Sequence, residues 1–283
     1  RFMEFENFKL LTGTSNVQLS KSIADQLGIQ LGQAEVRRFS DGEIFVEIQE
    51  SVRGMDTFIV QSTCHPVNDS LMELLIMTDA LKRSSTSSIT AVIPYYGYAR
   101  QDRKAQSRVP FTAKLVADLL TAAGVEGVIG MDVHARQVQG FFNIPFDHLY
   151  AKPALIQYVK QNYSVDRLVV VSPDAGGVER ARAYAKRLDA GLAIIDKRRI
   201  RANEAQAMNV IGDVKGKQAI IVDDMIDTAG TLMQAVHVLL DNGAETVSAA
   251  CTHGVFSGTA FERIRDGKIK AVICTDQTPL SPL

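Results

Sequence analysis

The sequence contains no tryptophan and only three cysteines among its 283 residues. Cys64, Cys251 and Cys274 are widely spaced and odd in number, which excludes a complete disulfide framework and a CxxC metal knuckle. We expect all three to be buried free thiols, because their sequence neighbours are apolar or small.

Long apolar runs and an excess of charge of either sign are also absent. No apolar segment approaches the about 18 residues of a membrane-spanning helix, and no signal-peptide pattern occurs, so the cytoplasm is the expected compartment. The 31 basic and 32 acidic residues give a net charge of −1, which predicts no general attraction to nucleic acid or to a membrane. Any binding of an anion must therefore be local.

What the sequence does contain is one pattern used twice. Hydrophobic residues make up 46% of the chain, enough for the cores of two ordinary domains. Segments of the second half repeat segments of the first half in the same order, and the offset between them shrinks only by loop-sized steps. The matched pairs are 17–27 with 178–188, 52–54 with 214–216, 89–94 with 247–252 and 125–132 with 269–276.

This repetition predicts an α/β protein with two tandem domains, each with a mainly parallel sheet flanked by helices. We place the domains at residues 1–150 and 151–283. A helix over 154–160, which begins at Pro153, is expected at the boundary because proline suits the first turn of a helix.

The most informative stretch of the chain covers residues 219–231. Its first four residues are apolar and predict a strand that is buried on both faces of a parallel sheet. Asp223 and Asp224 follow at the carboxyl end of that strand, where the ligands of open α/β sheets bind. Small residues over 227–231 then lead into a helical pattern over 232–240.

These features together predict a site for a ribose phosphate. The helix N-terminus offers backbone N–H groups and a positive dipole end to a phosphate, and Thr228 and Thr231 add hydroxyl donors. Asp223 and Asp224 would repel a phosphate, so we expect them to hold hydroxyl groups or a cation. A capped helix beside two surface acids is the alternative. The first copy has residues 61–70 at this place, without the paired acids, so only the second copy is expected to bind this ligand.

Two loops of the first copy are candidates for binding a nucleotide. Residues 95–104 follow a predicted strand and combine tyrosines, a glycine and three cations, which suits stacking on a base and neutralising phosphates. A solvated basic loop is an equal alternative. Residues 37–43 combine Phe39 with two acids near a glycine turn, a set able to stack on an adenine and accept its hydrogen bonds. Residues 71–77 predict a helix that is apolar nearly all round, buried in the domain or in a subunit interface.

Other strand ends carry further candidates. Asp132 and His134 follow one predicted strand and Asp174 follows another, so one imidazole and two carboxylates could converge. An ordinary hydrogen-bonded histidine is the alternative for His134.

Lys197 and Arg199 follow an apolar strand predicted over 192–195 and precede a polar, glycine-free segment over 200–208, which predicts a mobile flap. Phosphoryl transfer needs positioning and neutralisation of charge rather than a covalent nucleophile, and these two cations fit that task. A solvated basic turn is the alternative.

Seven motifs of this chain occur together, in the same order, in the ribose-phosphate diphosphokinases, the family that makes 5-phosphoribosyl diphosphate (PRPP). They are Arg38–Glu43, Asn68–Leu75, Tyr98–Lys104, Met131–His134, Ser172–Gly177, Asp196–Arg199 and Asp223–Thr231. The chain therefore resembles this family over nearly its whole length, and the last motif is also similar to the PRPP-binding motif of phosphoribosyltransferases. The resemblance implies two phosphoribosyltransferase-like domains in tandem.

The resemblance implies transfer of the β,γ-diphosphoryl group of ATP to the C1 hydroxyl of ribose 5-phosphate, giving PRPP and AMP for nucleotide biosynthesis. The first domain would bind ATP and carry the subunit contacts, and the second would bind ribose 5-phosphate. The ATP-binding residues would be Phe39, Asp41, Glu43, Arg100 and Gln101. The ribose-5-phosphate-binding residues would be Asp223, Asp224, Asp227, Thr228, Ala229, Gly230 and Thr231.

The resemblance also implies Mg²⁺ and two catalytic cations. The metal residues would be His134, Asp174 and Asp132, and the catalytic residues Lys197 and Arg199. Because Mg²⁺ keeps most of its waters, few direct bonds to the protein are expected.

Assembly and regulation follow from the same resemblance. The family forms homo-oligomers, commonly hexamers, in which a neighbouring subunit completes the ATP site. Ser51, Arg53 and Arg108 would form a site between subunits that binds phosphate as an activator and ADP as an inhibitor. Asn143 stands where the family commonly has an acid. The alternative to an effector site is that Arg53 and Arg108 are surface arginines in weak ion pairs.

Two other functions fit part of the sequence. A phosphoribosyltransferase that consumes PRPP with a nucleobase would explain the second copy but would leave residues 39–43 and 100–104 unused. A non-catalytic regulatory homologue of the same family would not need Lys197, Arg199, His134 and Asp223, all of which are in place.

Overall fold

The computed structural model describes residues 7–198 and 207–280, and they form two compact units. The first unit comprises residues 7–149 together with 277–280, and the second comprises residues 150–276. Each unit is an α/β fold with a mainly parallel sheet flanked by helices, which confirms the predicted fold class.

The first unit contains seven strands, three α-helices and one short 3-10 helix in its described part. In chain order these are β1 (Phe8–Thr12), α1 (Val17–Leu27), β2 (Ala34–Arg38), β3 (Ile44–Ile48), β4 (Asp56–Val60), α2 (Val67–Arg83), β5 (Ser88–Ile93), α3 (Thr112–Ala123), β6 (Gly127–Met131), the 3-10 helix Arg136–Phe141 and β7 (Phe146–Leu149). Its main sheet has the order β1-β4-β5-β6-β7 with every pair parallel, whereas β2 and β3 form a separate antiparallel hairpin.

Alternating side chains of β1 and its neighbours pack on opposite faces of this sheet. Leu11 and Ile59 join the core formed with α2 and α3, whereas Leu10 and Val60 pack with Ala24 of α1. This alternation follows from the two-residue repeat of a strand. It produces the three-layer arrangement of helix, sheet and helix that parallel sheets require.

Helix α2 is not buried all round within its domain. Leu74, Met77 and Leu81 are fully buried, but Met72 is 51% exposed. Glu73, a charged residue, is only 2% exposed. Burial within the domain is therefore confirmed for one face of the predicted helix over 71–77, and burial of the face with Met72 in a subunit interface stays a prediction.

The second unit contains six strands, four α-helices and one short 3-10 helix in its described part. They are α4 (Lys152–Asn162), the 3-10 helix Val165–Arg167, β8 (Leu168–Ser172), α5 (Val178–Leu188), β9 (Gly191–Arg198), β10 (Ala207–Ile211), β11 (Gln218–Ile226), α6 (Gly230–Asp241), β12 (Thr246–Gly254), α7 (Ala260–Asp266) and β13 (Ala271–Thr275). The sheet order is β10-β9-β8-β11-β12-β13, and only β10 is antiparallel to its neighbour.

The predicted repeat matches the structure closely. Strands β1-β4-β5-β6 of the first unit correspond to β8-β11-β12-β13 of the second, and helices α1 and α5 begin and end at matched residues. The turns before β4 and β11 place Gly54 at φ 70° and Gly216 at φ 68°. The copies differ in two ways: β9 and β10 extend the main sheet where β2 and β3 form a separate hairpin, and the first unit has an additional edge strand, β7, that was not predicted and has no counterpart beside β13 in the described residues.

The three cysteines are free in the structure. Cys64 and Cys251 are buried and Cys274 is partly buried, so the prediction of buried thiols is confirmed for two of them. Burial raises the pKa of each thiol above its usual value. None of the helices within residues 7–198 and 207–280 is both long and apolar enough to cross a membrane.

The matched glycines allow a test of whether the left-handed backbone conformation requires glycine at both positions. A Cβ atom at Gly54 or Gly216 would meet no atom within 4 Å, so only the left-handed backbone penalises another residue there. We expect Gly54→Ala and Gly216→Ala each to lower the free energy of unfolding by about 1 kcal/mol in urea titrations. Gly140→Ala is the control, because Gly140 has equally open space without a positive φ. Losses equal to that of the control would contradict the backbone explanation.

Candidate active site

Asp223 and Asp224 lie within strand β11 rather than in a loop after it. The strand predicted over 219–222 continues to Ile226, because β12 keeps pairing with β11 as far as the pair Ile226 and Gly254. Pairing with β8 on the other side ends at Ile221. The two carboxylates therefore stand just beyond the end of β8, close to the start of the helix that follows it.

Arg180 on helix α5 binds both carboxylates. Its guanidinium lies 2.8 Å from Asp223 Oδ1 and 3.5 Å from Asp224 Oδ1. The backbone N–H of Asp224 also donates to Asp223 Oδ1 at 2.9 Å. Burial, and then the neighbouring Asp224 carboxylate, raises the pKa of Asp223 to about 7, although Arg180 opposes the shift.

The segment 227–231 forms a left-handed turn at the N-terminus of helix α6. Ala229 has φ 58° and is buried, and the helix begins at Gly230. Thr228 and Thr231 are exposed. No side chain in the part of the chain that the structure describes caps this helix, and its first turn contains no acid. The N-terminus therefore keeps its positive end and its hydroxyl donors accessible.

Neighbouring side chains hold this turn in place. Arg263 donates to the Thr228 carbonyl oxygen at 2.9 Å, and Ser257 donates to the Asp227 carboxylate. A Cβ atom at Gly230 would lie 3.1 Å from the Arg263 guanidinium. Arg263, Ser257 and Arg180 were not identified from the sequence, because nothing in their spacing indicates which loop they contact.

The β8–α5 turn carries Asp174. Its Oδ1 accepts from the Gly177 N–H at 2.9 Å, and the Ser172 hydroxyl donates to its carbonyl oxygen at 2.7 Å. The side chain is nevertheless exposed. Asp174 is thus a fixed carboxylate that solvent and ligands can reach.

Of the two predicted catalytic cations, only the backbone of Lys197 can be placed. Strand β9 continues through residues 196–198, and Lys197 pairs with Met208 of β10. The strand predicted over 192–195 was therefore too short, and the predicted flap over 200–208 overlaps the start of β10. Arg199 and the centre of the predicted flap lie outside the described residues.

In the first unit, Phe39 lies at the tip of the β2–β3 hairpin. Its ring is 46% exposed and meets Phe45 edge to face, with 5.7 Å between ring centroids. Arg37 lies over the Phe45 ring at 4.0 Å. Asp41 and Glu43 are both exposed, and the N–H of Glu43 donates to Asp41 Oδ1 at 3.1 Å.

The segment 95–104 differs from its predicted role in stacking. Tyr95 and Tyr96 are buried in the domain, at 6% and 3% exposure, so neither can stack on a base. Arg100 is exposed, and its role in binding phosphate stays a prediction. Gln101 is exposed too, and its side chain accepts a hydrogen bond from the Thr112 hydroxyl.

Both of these segments attach to the first turn of helix α2. Arg38 of the hairpin forms an ion pair of 3.2 Å with Asp69, and Tyr98 donates a hydrogen bond to Asn68. The structure therefore attaches the two segments that contain Phe39 and Arg100 to one helix N-terminus. Asn68 and Asp69 belong to a motif visible in the sequence, but their contacts depend on the fold.

Asp132 and His134 lie on a strained turn after β6. Asp132 has φ 39°, and its N–H donates to the Leu149 carbonyl oxygen at 3.0 Å. The intervening Val133 N–H donates to His148 Nε2 at 3.1 Å, and burial lowers the pKa of His148. His134 is exposed.

The predicted effector residues are not joined by direct bonds. Ser51, Arg53 and Arg108 are all exposed, and Arg108 has φ 63°. Among residues 7–198 and 207–280, no hydrogen bond or ion pair links Arg108 to Ser51 or Arg53.

Comparison with known proteins identifies one family from both halves of the chain. Residues 8–124 match the model of the N-terminal domain of ribose phosphate pyrophosphokinase, and residues 151–278 match that of the phosphoribosyl transferase domain. A ribose-phosphate pyrophosphokinase of Caldanaerobacter subterraneus subsp. tengcongensis is 60% identical over 97% of this chain and 87% of its own length. The chain belongs to the ribose-phosphate pyrophosphokinase family. It is accordingly an enzyme of the diphosphokinase type.

Further relatives agree. The ribose-phosphate pyrophosphokinase of Gloeobacter violaceus is 55% identical over 100% of the chain and 85% of its own length. The crystal structure of phosphoribosylpyrophosphate synthetase from Mycobacterium smegmatis superposes with a TM-score of 0.92 and 44% identity, covering 98% of this chain and 91% of that one.

The raised pKa of Asp223 predicts that removing its carboxylate changes the stability of the fold by an amount that depends on pH. The folded protein keeps the carboxyl protonated up to about pH 7, whereas the ordinary value is 3.8, so wild-type stability falls as pH rises between these values. Asp223→Asn avoids this loss. We expect it to be more stable than wild type by roughly 1 kcal/mol at pH 8, allowing for screening by solvent, and by less at pH 5.

Asp213→Asn is the matched control for this experiment. Asp213 is exposed, and its hydrogen bond from Lys217 lowers its pKa, which is the opposite shift. Its substitution should give no gain at pH 8. Denaturant unfolding at both pH values measures the difference, and a pH-independent effect of Asp223→Asn would refute the assignment.

Proposed function

We propose that this chain transfers the β,γ-diphosphoryl group of ATP to the C1 hydroxyl of ribose 5-phosphate, releasing AMP and PRPP. The observation that carries the proposal is 60% identity, over 97% of the chain, to a ribose-phosphate pyrophosphokinase. In the second unit, the turn over residues 227–231 leaves a helix N-terminus accessible to a phosphate beside the paired carboxylates Asp223 and Asp224. This arrangement supports the same chemistry.

In this proposal, the second unit binds ribose 5-phosphate. The N-terminus of α6, with the hydroxyls of Thr228 and Thr231, receives the 5-phosphate, because uncapped N–H groups and a positive dipole favour an anion. Asp223 and Asp224 accept hydrogen bonds from the ribose hydroxyls. Arg180 holds these carboxylates in position.

The first unit binds ATP. Phe39 is exposed at the hairpin tip and stacks on the adenine, while Asp41 and Glu43 accept hydrogen bonds from it. Arg100 and Gln101 hold the phosphates from the neighbouring loop. The attachment of both segments to the first turn of α2 supports this division, since one rigid element sets the spacing between base and phosphate partners.

Mg²⁺ fits the donors that are present. Within residues 7–198 and 207–280, no three His, Cys, Asp or Glu side chains form a ready-made metal cage. In the second unit Asp174 is exposed, and in the first unit His134 is exposed with Asp132 on the same turn; exposed donors suit an ion that takes its other ligands from water and from substrate phosphates. When bound, Mg²⁺ neutralises phosphate charge and orients the reacting group.

Lys197 and Arg199 stabilise the transition state in this proposal. The C1 hydroxyl attacks the β-phosphorus, the bond to the α,β-bridging oxygen breaks, and AMP leaves with the charge that develops on that oxygen. Cations at the reacting phosphorus bind this charge more strongly in the transition state than in the ground state.

Assembly, regulation and location complete the proposal. The enzyme functions in the cytoplasm as a homo-oligomer, a hexamer, in which a neighbouring subunit completes the ATP site. Ser51, Arg53 and Arg108 bind phosphate as an activator and ADP as an inhibitor, since exposed guanidiniums and a hydroxyl suit an anion.

The reaction is tested by its products. Chromatography of nucleotides after mixing the protein with Mg²⁺, ATP and ribose 5-phosphate should show AMP, whereas ADP would indicate an ordinary kinase. Lys197→Ala should lower kcat by about two orders of magnitude or more and leave the Kd for ATP within a few-fold. Lys186→Ala, an exposed lysine of the same unit, is the control. Normal turnover by Lys197→Ala would remove Lys197 from the mechanism.

The division of substrates between the units gives a second test. Asp224→Asn should weaken binding of ribose 5-phosphate by about tenfold or more and leave ATP binding unchanged, because it removes the negative charge and replaces one acceptor oxygen with an N–H donor. Phe39→Ala should weaken ATP binding by about tenfold through loss of stacking and spare ribose 5-phosphate.

Isothermal titration with each ligand measures both effects. Tyr158→Ala, which truncates an exposed aromatic ring of the second unit, is the control for Phe39→Ala. If Asp224→Asn weakens both ligands equally, β11 supports the fold and does not select the substrate.

A further inference from the structure

Two of the three cysteines lie side by side on the sheet of the second unit. Cys251 of β12 and Cys274 of β13 are direct partners in the register of these parallel strands. Because side chains alternate between the faces of a sheet, directly opposed residues of neighbouring strands share one face. Both side chains accordingly join the same hydrophobic cluster, with Cys251 fully buried in it and Cys274 packed at its margin. Nothing in the proposed reaction uses either thiol.

The spacing of the two strands brings the thiols within reach of a disulfide. Neighbouring strands lie about 4.8 Å apart, which falls within the range of about 4.4 to 6.8 Å between the Cα atoms of a disulfide. The Cβ atoms of a disulfide lie closer, at about 3.8 Å, so the bond requires a small approach of the two strands. Strand β13 stands last in the sheet order, with a strand on one side only within residues 7–198 and 207–280, and can make this approach.

The surroundings of the two thiols set the order in which they react. Cys274 is partly exposed, so a reagent in solution reaches it, whereas Cys251 is 0% exposed and is reached only by its neighbour. Burial raises the pKa of both thiols, and the nearby Cys274 raises the pKa of Cys251 further. Since the thiolate is the reactive form, exchange is slow at neutral pH and becomes faster as pH rises.

The segment between the two cysteines supports the turn that is the candidate phosphate site. It contains Ser257 and Arg263, which donate to the Asp227 carboxylate and to the Thr228 carbonyl oxygen. A bond between the two ends of this segment closes it into a loop. Such a link removes conformational freedom mainly from the unfolded chain and so stabilises the fold. The link would therefore restrain the segment that holds residues 227–231.

We propose that Cys251 and Cys274 are a site of reversible disulfide formation, with a small-molecule disulfide as the oxidant. The Cys274 thiolate attacks one sulfur of the reagent, which breaks the S–S bond of the reagent and releases one thiolate. The Cys251 thiolate then attacks the Cys274 sulfur, closes the bond within the chain and releases the second thiolate. Two protein thiols are oxidised, one small disulfide is reduced to two thiols, and the protons of the protein thiols pass to the released thiolates.

The test is oxidation of the full chain by hydroxyethyl disulfide at alkaline pH, followed by blocking of free thiols in denaturant and peptide mapping by mass. We expect the wild type to keep a free thiol only at Cys64 and to give one linked pair of peptides that contain Cys251 and Cys274. Dithiothreitol should restore all three thiols. The oxidised protein should gain about 3 °C or more in Tm, because the link restrains the unfolded chain.

Cys64→Ser is the matched control, because it removes the cysteine of the first unit and should leave the linked pair and the gain in Tm unchanged. Cys274→Ser should abolish both and leave Cys251 reduced, since solvent does not reach that thiol. Cys251→Ser should stop at the first step, as a mixed disulfide of Cys274 with the reagent.

Three outcomes in the wild type would overturn the proposal. They are a mixed disulfide that persists on Cys274, a link that involves Cys64, and three thiols that all stay free at alkaline pH. A linked pair that gives no gain in Tm would overturn the restraint of the segment between the two cysteines.

Discussion

The pairing of Arg180 with Asp223 and Asp224 is the interaction that organises the candidate ribose site of the second unit. Two carboxylates at the end of a buried strand repel each other, and Asp224 is almost excluded from water. A single guanidinium 2.8 Å from one and 3.5 Å from the other offsets this repulsion. Because Arg180 lies on α5 and the acids lie on β11, the same ion pair also fixes the helix against the sheet beside the candidate ribose site.

The two units show how one backbone supports two kinds of chemistry. The central strands, the α1 and α5 helices and the left-handed glycines are shared. The differences lie in side chains beside the β1–α1 and β8–α5 turns: Gln61 with Glu73 in the first unit, and Asp223 with Arg180 in the second. Backbone geometry is set by packing over many residues, whereas a strand-end side chain can change without disturbing the core.

Much of this organisation could be predicted from the sequence. The repeat and the strand-turn-helix around Asp223 follow from local patterns of apolar and small residues. The lengths of β9 and β11 could not, since a strand continues as long as a neighbour pairs with it, and pairing is not local. The burial of Tyr95 and Tyr96 could not be predicted for a related reason. The local sequence around an aromatic residue does not distinguish a ring that packs in the core from one that contacts a ligand.

Helix α2 has a mechanical consequence for the first unit. Asp69 and Asn68 bind the hairpin and the neighbouring loop, and Glu73, one turn further, holds the β1–α1 turn. Three separate segments are thus attached to one rigid helix, α2, whose inner face is fixed by the fully buried Leu74 and Met77. Any rotation of α2 would displace the hairpin and the neighbouring loop together, so the first unit is expected to respond to strain as one rigid part rather than as independent loops.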